Sequence, residues 1–417
     1  MRLYPIMDTT KENDLTYEEN SNNYPPAKAP ISPVLSFSSF SGNDHQNAPS
    51  IASAKYKRFV TSGRIATALA LINENIGAGD EVLVPAYHCE SMVAPVRHTG
   101  ATAVFYRINA DTSINIDSIT ELLTPKTKVI VVTHFFGFPQ NVKELRSFCD
   151  QHDLIMIEDC AHSFFGKFCG HPVGYYADYA IASTMKFFPV FDGGLLASNK
   201  HPLNQIKLEK PSVHMEVKAF LTIIERAISF NRLSFVGKIL GFFTRIKDYL
   251  WSAIKAVFFK DRGSASIGPS AAEGGFSFDP AWLNTKASKV SRFIIKKTAM
   301  TELVKKRRQT YMRYVAALKD IEGCHILHTK LADHIAPVVV PVYFNHCAQV
   351  FDKLKKKGVP IWHFGEFLDP EVSVSTCPIS YEYSQKVIQF PCHQELKEKE
   401  IEWVIREIKA TCLAANK

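Results

Sequence analysis

Two strand-like runs in the middle of the chain end in residues able to work on a carbonyl cofactor. The apolar run Leu154–Ile157 ends in Glu158-Asp159, with His162 one turn further on. The run Tyr179–Ala182 ends in Ser183-Thr184-Met185-Lys186, and Gly193-Gly194 follow. Acids and a lysine at the carboxyl ends of consecutive buried strands converge on the crevice where open α/β sheets place ligands. That pairing suits pyridoxal phosphate. The lysine condenses with the aldehyde, and the carboxylate keeps the pyridine nitrogen protonated so that the ring acts as an electron sink. Each residue alone has a plainer reading. One lysine among 49 Lys and Arg is ordinarily a solvated charge, an acid at a strand end ordinarily a cap, and a lone histidine ordinarily a hydrogen-bonded interior residue. The joint pattern carries the argument.

The elements that must position these residues are legible on both sides. Strands are expected at Glu81–Pro85, Ala103–Arg107 and Val129–Thr133, alternating with helical stretches such as Asn141–Gln151. Near-continuous apolar strands separated by helices predict an α/β fold, a mostly parallel sheet covered on both faces. Thr61-Ser62-Gly63 precedes a helix over Arg64–Asn75, and a glycine-led helix start exposes backbone N–H groups that suit a phosphate. His134, directly after a strand, reads first as a structural residue. Ser288–Leu318 reads as one long helix whose basic middle, Lys305-Lys306-Arg307-Arg308, is a solvated face. Two β-like runs, Ala336–Tyr343 and Val387–Phe390, flanked by helices at Ala348–Lys357 and Lys397–Lys409, predict a small α+β domain closing over the cleft.

Composition narrows the class. Apolar content is 46% and charged content 22%, ordinary for a globular protein. A net charge of +8 suggests an anionic ligand or surface, but no basic stripe interleaved with aromatics argues for nucleic acid. Nine cysteines, an odd number without CxxC pairs, argue against a metal centre or a disulfide framework and for a reducing cytoplasm. The first residues lack a signal-peptide core, and no apolar run is long enough to span a membrane. Residues 1–50, rich in Ser, Asn and Pro, read as a partly disordered arm. A basic insert over 212–275, helical and amphipathic across 216–262, ends in a Gly/Ser/Ala-rich linker. It reads as a packing surface or as a peripheral contact with the anionic inner membrane surface.

The chain resembles the DegT/DnrJ/StrS-type sugar aminotransferases, fold-type I pyridoxal phosphate enzymes. The resemblance rests on Thr61-Ser62-Gly63-Arg64, Gly79-Asp80-Glu81-Val82, Val84-Pro85-Ala86-Tyr87-His88-Cys89, Ile157-Glu158-Asp159-Cys160-Ala161-His162, the spacing from Lys186 to Gly193-Gly194, Asn284-Thr285-Lys286-Ala287-Ser288 and Gln389-Phe390-Pro391-Cys392-His393. It leaves out residues 1–60 and about 210–275. It implies a large cofactor domain over 51–297 and a small C-terminal domain over 298–417. Lys186 and Asp159 would be catalytic. Ser62, Gly63, Arg64 and Ser183 would hold the phosphate, Tyr87 or His88 would stack on the ring, and His162 would sit beside the phenolic oxygen. Asn284 would reach the phosphate of a neighbouring subunit in a homodimer with shared sites. Three positions depart from the pattern. Cys89 stands where an aromatic is usual, Arg64 where a threonine is, and Phe191-Asp192 where Gly-Glu is frequent; the last is expected to alter the sugar pocket. The implied reaction moves an amino group, from glutamate, to a keto-sugar carried on a nucleotide in glycan biosynthesis. A dehydratase is the alternative within the fold, disfavoured because that branch replaces the lysine. A non-catalytic scaffold at a membrane surface is the alternative outside it.

Overall fold

The computed structural model describes residues 24–41, 48–233 and 278–415. The first part of the chain alternates strand and helix: β1 (Tyr56–Val60), α1 (Gly63–Asn73), β2 (Glu81–Pro85), α2 (Glu90–Thr99), β3 (Thr102–Tyr106), α3 (Ile116–Leu122), β4 (Thr127–Thr133), α4 (Val142–Gln151) and β5 (Ile155–Asp159). A two-strand ribbon, β6 (Lys167–Phe168) with β7 (His171–Pro172), then leads to β8 (Tyr179–Ser183), β9 (Gly194–Ser198) and α5 (Val213–Ser229). Seven of these strands form one sheet in the order β1-β9-β8-β5-β4-β2-β3. Strands β3, β2, β4, β5 and β8 run parallel; β9 is antiparallel to β8, and β1, antiparallel to β9, closes the edge in the direction of the other five. Every residue of β8 and β9 is buried, as expected of strands covered on both faces. In register, Asp159 stands opposite Thr133 of β4 and Ile181 of β8, so the carboxyl ends of three neighbouring strands meet where ligands are expected.

The helix expected over Ser288–Leu318 is two helices, α6 (Lys289–Lys297) and α7 (Met300–Leu318). Thr298 is extended (ψ 136°) and returns its hydroxyl to Ile294 O, while the N–H of Ala299 donates to Ser39 O at 3.2 Å. The break is therefore made by a tertiary contact that no local residue announces. That contact comes from residues 24–41, which pack on the rest of the chain: Ser36 and Ser39 donate to the Glu395 carboxylate at 2.6 and 2.8 Å.

A second, antiparallel sheet in the order β10-β11-β13-β12 builds the small domain from β10 (Cys324–Ile326), β11 (Val339–Phe344), β12 (Trp362–His363) and β13 (Val387–Pro391). Helices α8 (Cys347–Lys356), α9 (Pro378–Lys386) and α10 (Glu398–Ala415) accompany it. No helix among the described residues is long and apolar enough to cross a membrane. Of the basic insert, α5 and its C-terminal turn are described; residues 234–277, which carry most of its expected amphipathic stretch, lie outside the described residues.

Candidate active site

Strand β5 delivers two acids to opposite faces of the sheet, because successive side chains on a strand alternate. Asp159, only 5% exposed, has one side-chain hydrogen bond among the described residues, from Ala161 N–H to Oδ1 at 2.9 Å. Burial raises its pKa. The Ala161 N–H and the Lys186 ammonium oppose that rise without cancelling it. A carboxylate left this poorly solvated at a strand end favours a cationic partner.

Lys186 follows β8 by one 3-10 turn, Thr184–Lys186. Burial lowers its amine below the ordinary lysine range; Cys89 and Asp159 pull it back up, and Arg64 pushes it further down. Those causes locate Lys186 electrostatically beside Asp159, Arg64 and Cys89. A depressed amine holds more of its neutral, nucleophilic form near neutral pH.

Helix α1 begins beside this turn. Ser62 caps it, its hydroxyl accepting Ile65 N–H at 3.4 Å, and Gly63 and Arg64 occupy the first two helical positions. The glycine pair explains how the turn and the helix come so close. A Cβ on Gly194 would lie 2.1 Å from Ser62 O, and one on Gly193, whose φ is +145°, would lie 2.1 Å from the Thr184 hydroxyl. Only glycine lets β9 enter there. Gly193 N–H donates to Thr61 O at 2.7 Å and Thr184 N–H to Gly193 O at 3.0 Å, which locks the lysine turn to the approach of α1. Ser183 ends β8 with its Cβ 3.6 Å from where a Gly63 Cβ would stand, so its hydroxyl group adjoins the same helix start.

His162 is buried against Phe136 and Phe364, with ring centroids 6.0 and 5.1 Å away. Its Nδ1 accepts the N–H of Phe136 at 3.3 Å. A backbone N–H can only donate, so the neutral ring carries its proton on Nε2 and offers a donor there. Burial, reinforced by the charge of Lys186, holds its pKa well below the usual histidine value and keeps it neutral.

The loop after β2 carries the two residues expected to stack on a cofactor, Tyr87 and His88, followed by Cys89. His88 donates from Nδ1 to Ala86 O at 2.9 Å, accepts Asp369 N–H on Nε2 at 3.1 Å and stacks on Phe105. Both its nitrogens are engaged, and burial lowers its pKa to about 4. Tyr87 lies in an aromatic cluster with Phe135, Phe136, Phe364 and Tyr383, its buried hydroxyl without a hydrogen-bond partner among the described residues. Cys89 is the loop residue whose charge neighbours are Lys186, Asp159 and Arg64.

The structure thus brings Asp159, Lys186, Ser62, Gly63, Arg64 and Ser183 around one crevice, with Cys89 added and His162 near enough to feel the lysine's charge. It does not bring in Asn284. That residue is exposed, in a segment that pairs with Glu209 and with edge strand β1, so that β9 stands between it and β8. Asp192 is wholly buried, its carboxylate holding Ser288 N–H, Ser288 Oγ and Ser291 Oγ at 2.8, 2.5 and 2.6 Å. It anchors the start of α6. His134, Glu158 and Cys160 place ligand-type atoms within 4.8 Å of one another. The His134–Glu158 pair is already hydrogen-bonded, with Nε2 on Oε2 at 3.0 Å.

The donor set fits pyridoxal phosphate. Asp159 is a desolvated anion in want of a cation, α1 offers an anion-binding N-terminus beside Ser183, Lys186 is a depressed amine, and His162 is a neutral donor. The architecture is that of an aminotransferase. A putative sugar aminotransferase of Streptococcus pneumoniae in its PLP form superimposes with a TM-score of 0.60 at 16% identity, over 89% of this chain and 94% of that one. The chain belongs to the DegT/DnrJ/EryC1/StrS aminotransferase family, whose model matches residues 50–247 and 294–409. It is similar to the GDP-perosamine synthase of Escherichia coli O157:H7, 32% identical over 36% of this chain and 42% of the relative. It is also similar to a UDP-N-acetyl-3-dehydro-alpha-D-glucosamine 3-aminotransferase of Acidithiobacillus ferrooxidans, 33% identical over 33% of this chain and 38% of the relative. The matched stretch therefore spans about two fifths of those curated relatives' length.

Proposed function

We propose that this chain is a pyridoxal-phosphate-dependent aminotransferase that moves an amino group from an amino acid, glutamate by the family resemblance, to a nucleotide-linked keto-sugar in glycan biosynthesis. The observation that carries the reading is the pairing of a raised, sparsely hydrogen-bonded Asp159 with a depressed Lys186 at the carboxyl edge of the sheet. Family membership and relatives named for sugar amination support it.

Pyridoxal phosphate, when bound, would supply an electron sink. The chain's residues do the rest. Lys186 Nζ would be the group that takes up and returns the substrate Cα proton, and burial, which lowers its pKa from the ordinary lysine range, favours that role. Asp159 would hold the proton on the ring nitrogen, and His162 would offer its Nε2–H to the phenolic oxygen. The first N–H groups of α1 and the Ser183 hydroxyl would hold the phosphate. Asn284, exposed on its own chain, reaches the phosphate site of a second copy, which makes the working unit a homodimer. Nine free cysteines suit a cytoplasmic location. The contact with anionic membrane rests on the sequence of the insert alone.

Borohydride reduction of the protein loaded with pyridoxal phosphate, followed by peptide mapping, is expected to leave the label on Lys186. A label on another residue, or an active protein without one, overturns the site. Incubation with glutamate and a panel of nucleotide keto-sugars then identifies the acceptor as the sugar that gains nitrogen. Full cofactor attachment with no sugar aminated would sink the substrate class alone.

A further inference from the structure

The basic run Lys305-Lys306-Arg307-Arg308 is not a uniformly solvated face. Arg307 lies on the buried stripe of α7, four residues from both Leu303 and Tyr311, and is wholly buried. Among the described residues no carboxylate hydrogen-bonds its guanidinium. Instead Nε donates to Gln394 Oε1 at 3.0 Å, Nη1 to Pro337 O and Val338 O at 3.2 and 3.1 Å, and Nη2 to Lys186 O at 2.7 Å. The guanidinium also lies over the Phe187 ring, 4.6 Å from its centroid. Gln394 completes the arrangement by donating from Nε2 to Phe187 O at 3.0 Å. Burial brings the guanidinium down to about 10, still charged at neutral pH.

An interior cation whose hydrogen bonds among the described residues all go to neutral acceptors, with the Glu395 carboxylate acting on it only through its charge, is costly to bury, so its retention calls for a reason. Stability alone does not supply one, because an apolar side chain of similar volume would fill the space. What an apolar side chain lacks is a rigid fork of donors, and here that fork is aimed at the backbone of the lysine turn. The Pro337-Val338 segment that Arg307 also grips reaches the histidine side of the site. Val338 N–H donates to Phe136 O at 3.1 Å, and Phe136 N–H binds His162 Nδ1. One buried cation from the small domain therefore ties down the supports of both Lys186 and His162.

We propose that Arg307, seconded by Gln394, is a positioning residue for Lys186. It fixes the carbonyls of Lys186 and Phe187 so that Nζ is held in its desolvated place among Asp159 on β5, Arg64 on α1 and Cys89 at the start of α2. The small domain is then a fixed half of the lysine's support and does not act as a lid hinged at this point. The importance of this positioning rests on the proposed role of Lys186, but the test is made on cofactor-free protein and does not depend on that role.

Competitive acylation of the full chain with isotopic acetic anhydride across a pH series, read on the Lys186 peptide by mass spectrometry, gives the titration midpoint of this one amine. In the native protein it is expected below that of exposed lysines such as Lys305. Arg307→Lys and Gln394→Met each loosen the turn and let water reach Nζ. The Lys186 midpoint should then rise by on the order of one pH unit, with that of Lys305 unmoved. A merely structural role would lower the melting temperature and leave the Lys186 midpoint where it was. That result in either folded variant overturns the proposal. Should Arg307→Lys fail to fold, Gln394→Met, which keeps the cation, decides the matter alone. Failure of pyridoxal phosphate to attach to Lys186 would sink the functional reading and leave this titration standing.

Discussion

Glu158 and Asp159 are neighbours on one strand, both acidic and both buried, yet they sit in opposite circumstances. The Glu158 carboxylate accepts His134 Nε2–H, Gly174 N–H and Ala177 N–H, at 3.0, 2.8 and 3.1 Å. His134 is held in turn by Gln140 N–H on its Nδ1. Asp159 accepts a single N–H from Ala161. A buried anion with three donors is part of the framework, whereas one with a single donor is a site awaiting a partner. The His134–Glu158–Cys160 group belongs to the first kind. Its compactness reflects a satisfied hydrogen-bond network that anchors one face of β5 while the other faces the crevice.

Neutralising each acid should break the protein in a different place. Asp159→Asn is expected to keep the fold and cofactor attachment but lose roughly 10³-fold in turnover, about 4 kcal/mol of transition-state stabilisation, through loss of the ring-nitrogen partner. Steady-state kinetics on cofactor-loaded protein measures this, and near-native turnover would reduce Asp159 to a structural residue. Glu158→Ala should act on stability. It strands the His134 Nε2–H and two backbone N–H groups in the interior, for a loss of roughly 3–5 kcal/mol in urea unfolding of the cofactor-free protein. A loss under 1 kcal/mol would mean that the network is resolvated and that the contrast between the two acids is superficial.

The contrast also marks what the sequence could disclose. The ends of β5 and β8 were legible, because apolar runs and turn residues bracket them locally, but the separate faces of Glu158 and Asp159 were not read from the sequence. Strand β3 differs from its expected bounds by one residue, within the fraying of any strand end. The division of α6 from α7 was illegible, since Ser39, far away in the chain, makes it. Arg307 was hidden by its charged neighbours, although its spacing from Leu303, Tyr311 and Tyr314 places it on the buried stripe. There the helical period was the better guide than the charge run. The engagement of His88 by Asp369 across the domains, and of Asp192 by Ser288 within the large one, depends on segments distant in the chain packing together, for which residue type gives no signal. Cys89 was visible as a departure from the family pattern, but only its electrostatic neighbours show what it stands beside.

The finest discrimination between the two acids is the sign of Asp159's effect on folding without cofactor. Burial raises its folded-state pKa above the unfolded value near 3.9. Between those two values the folded chain binds a proton that the unfolded chain has released. Stability therefore falls as pH rises through that window, and the penalty persists in full above the folded pKa. Asp159→Asn removes the ionisable group. The cofactor-free variant should thus be more stable than the native protein at pH 7, with the advantage vanishing as pH falls to the unfolded carboxyl value. Loss of the attraction between Asp159 and Lys186 works the other way, but the net upward shift of the acid shows that burial outweighs it. Urea unfolding at a series of pH values reads the difference directly. A variant less stable than native at pH 7 would show that Asp159, like Glu158, is already satisfied by the fold, and the distinction between framework and site would fail at the residue on which it rests.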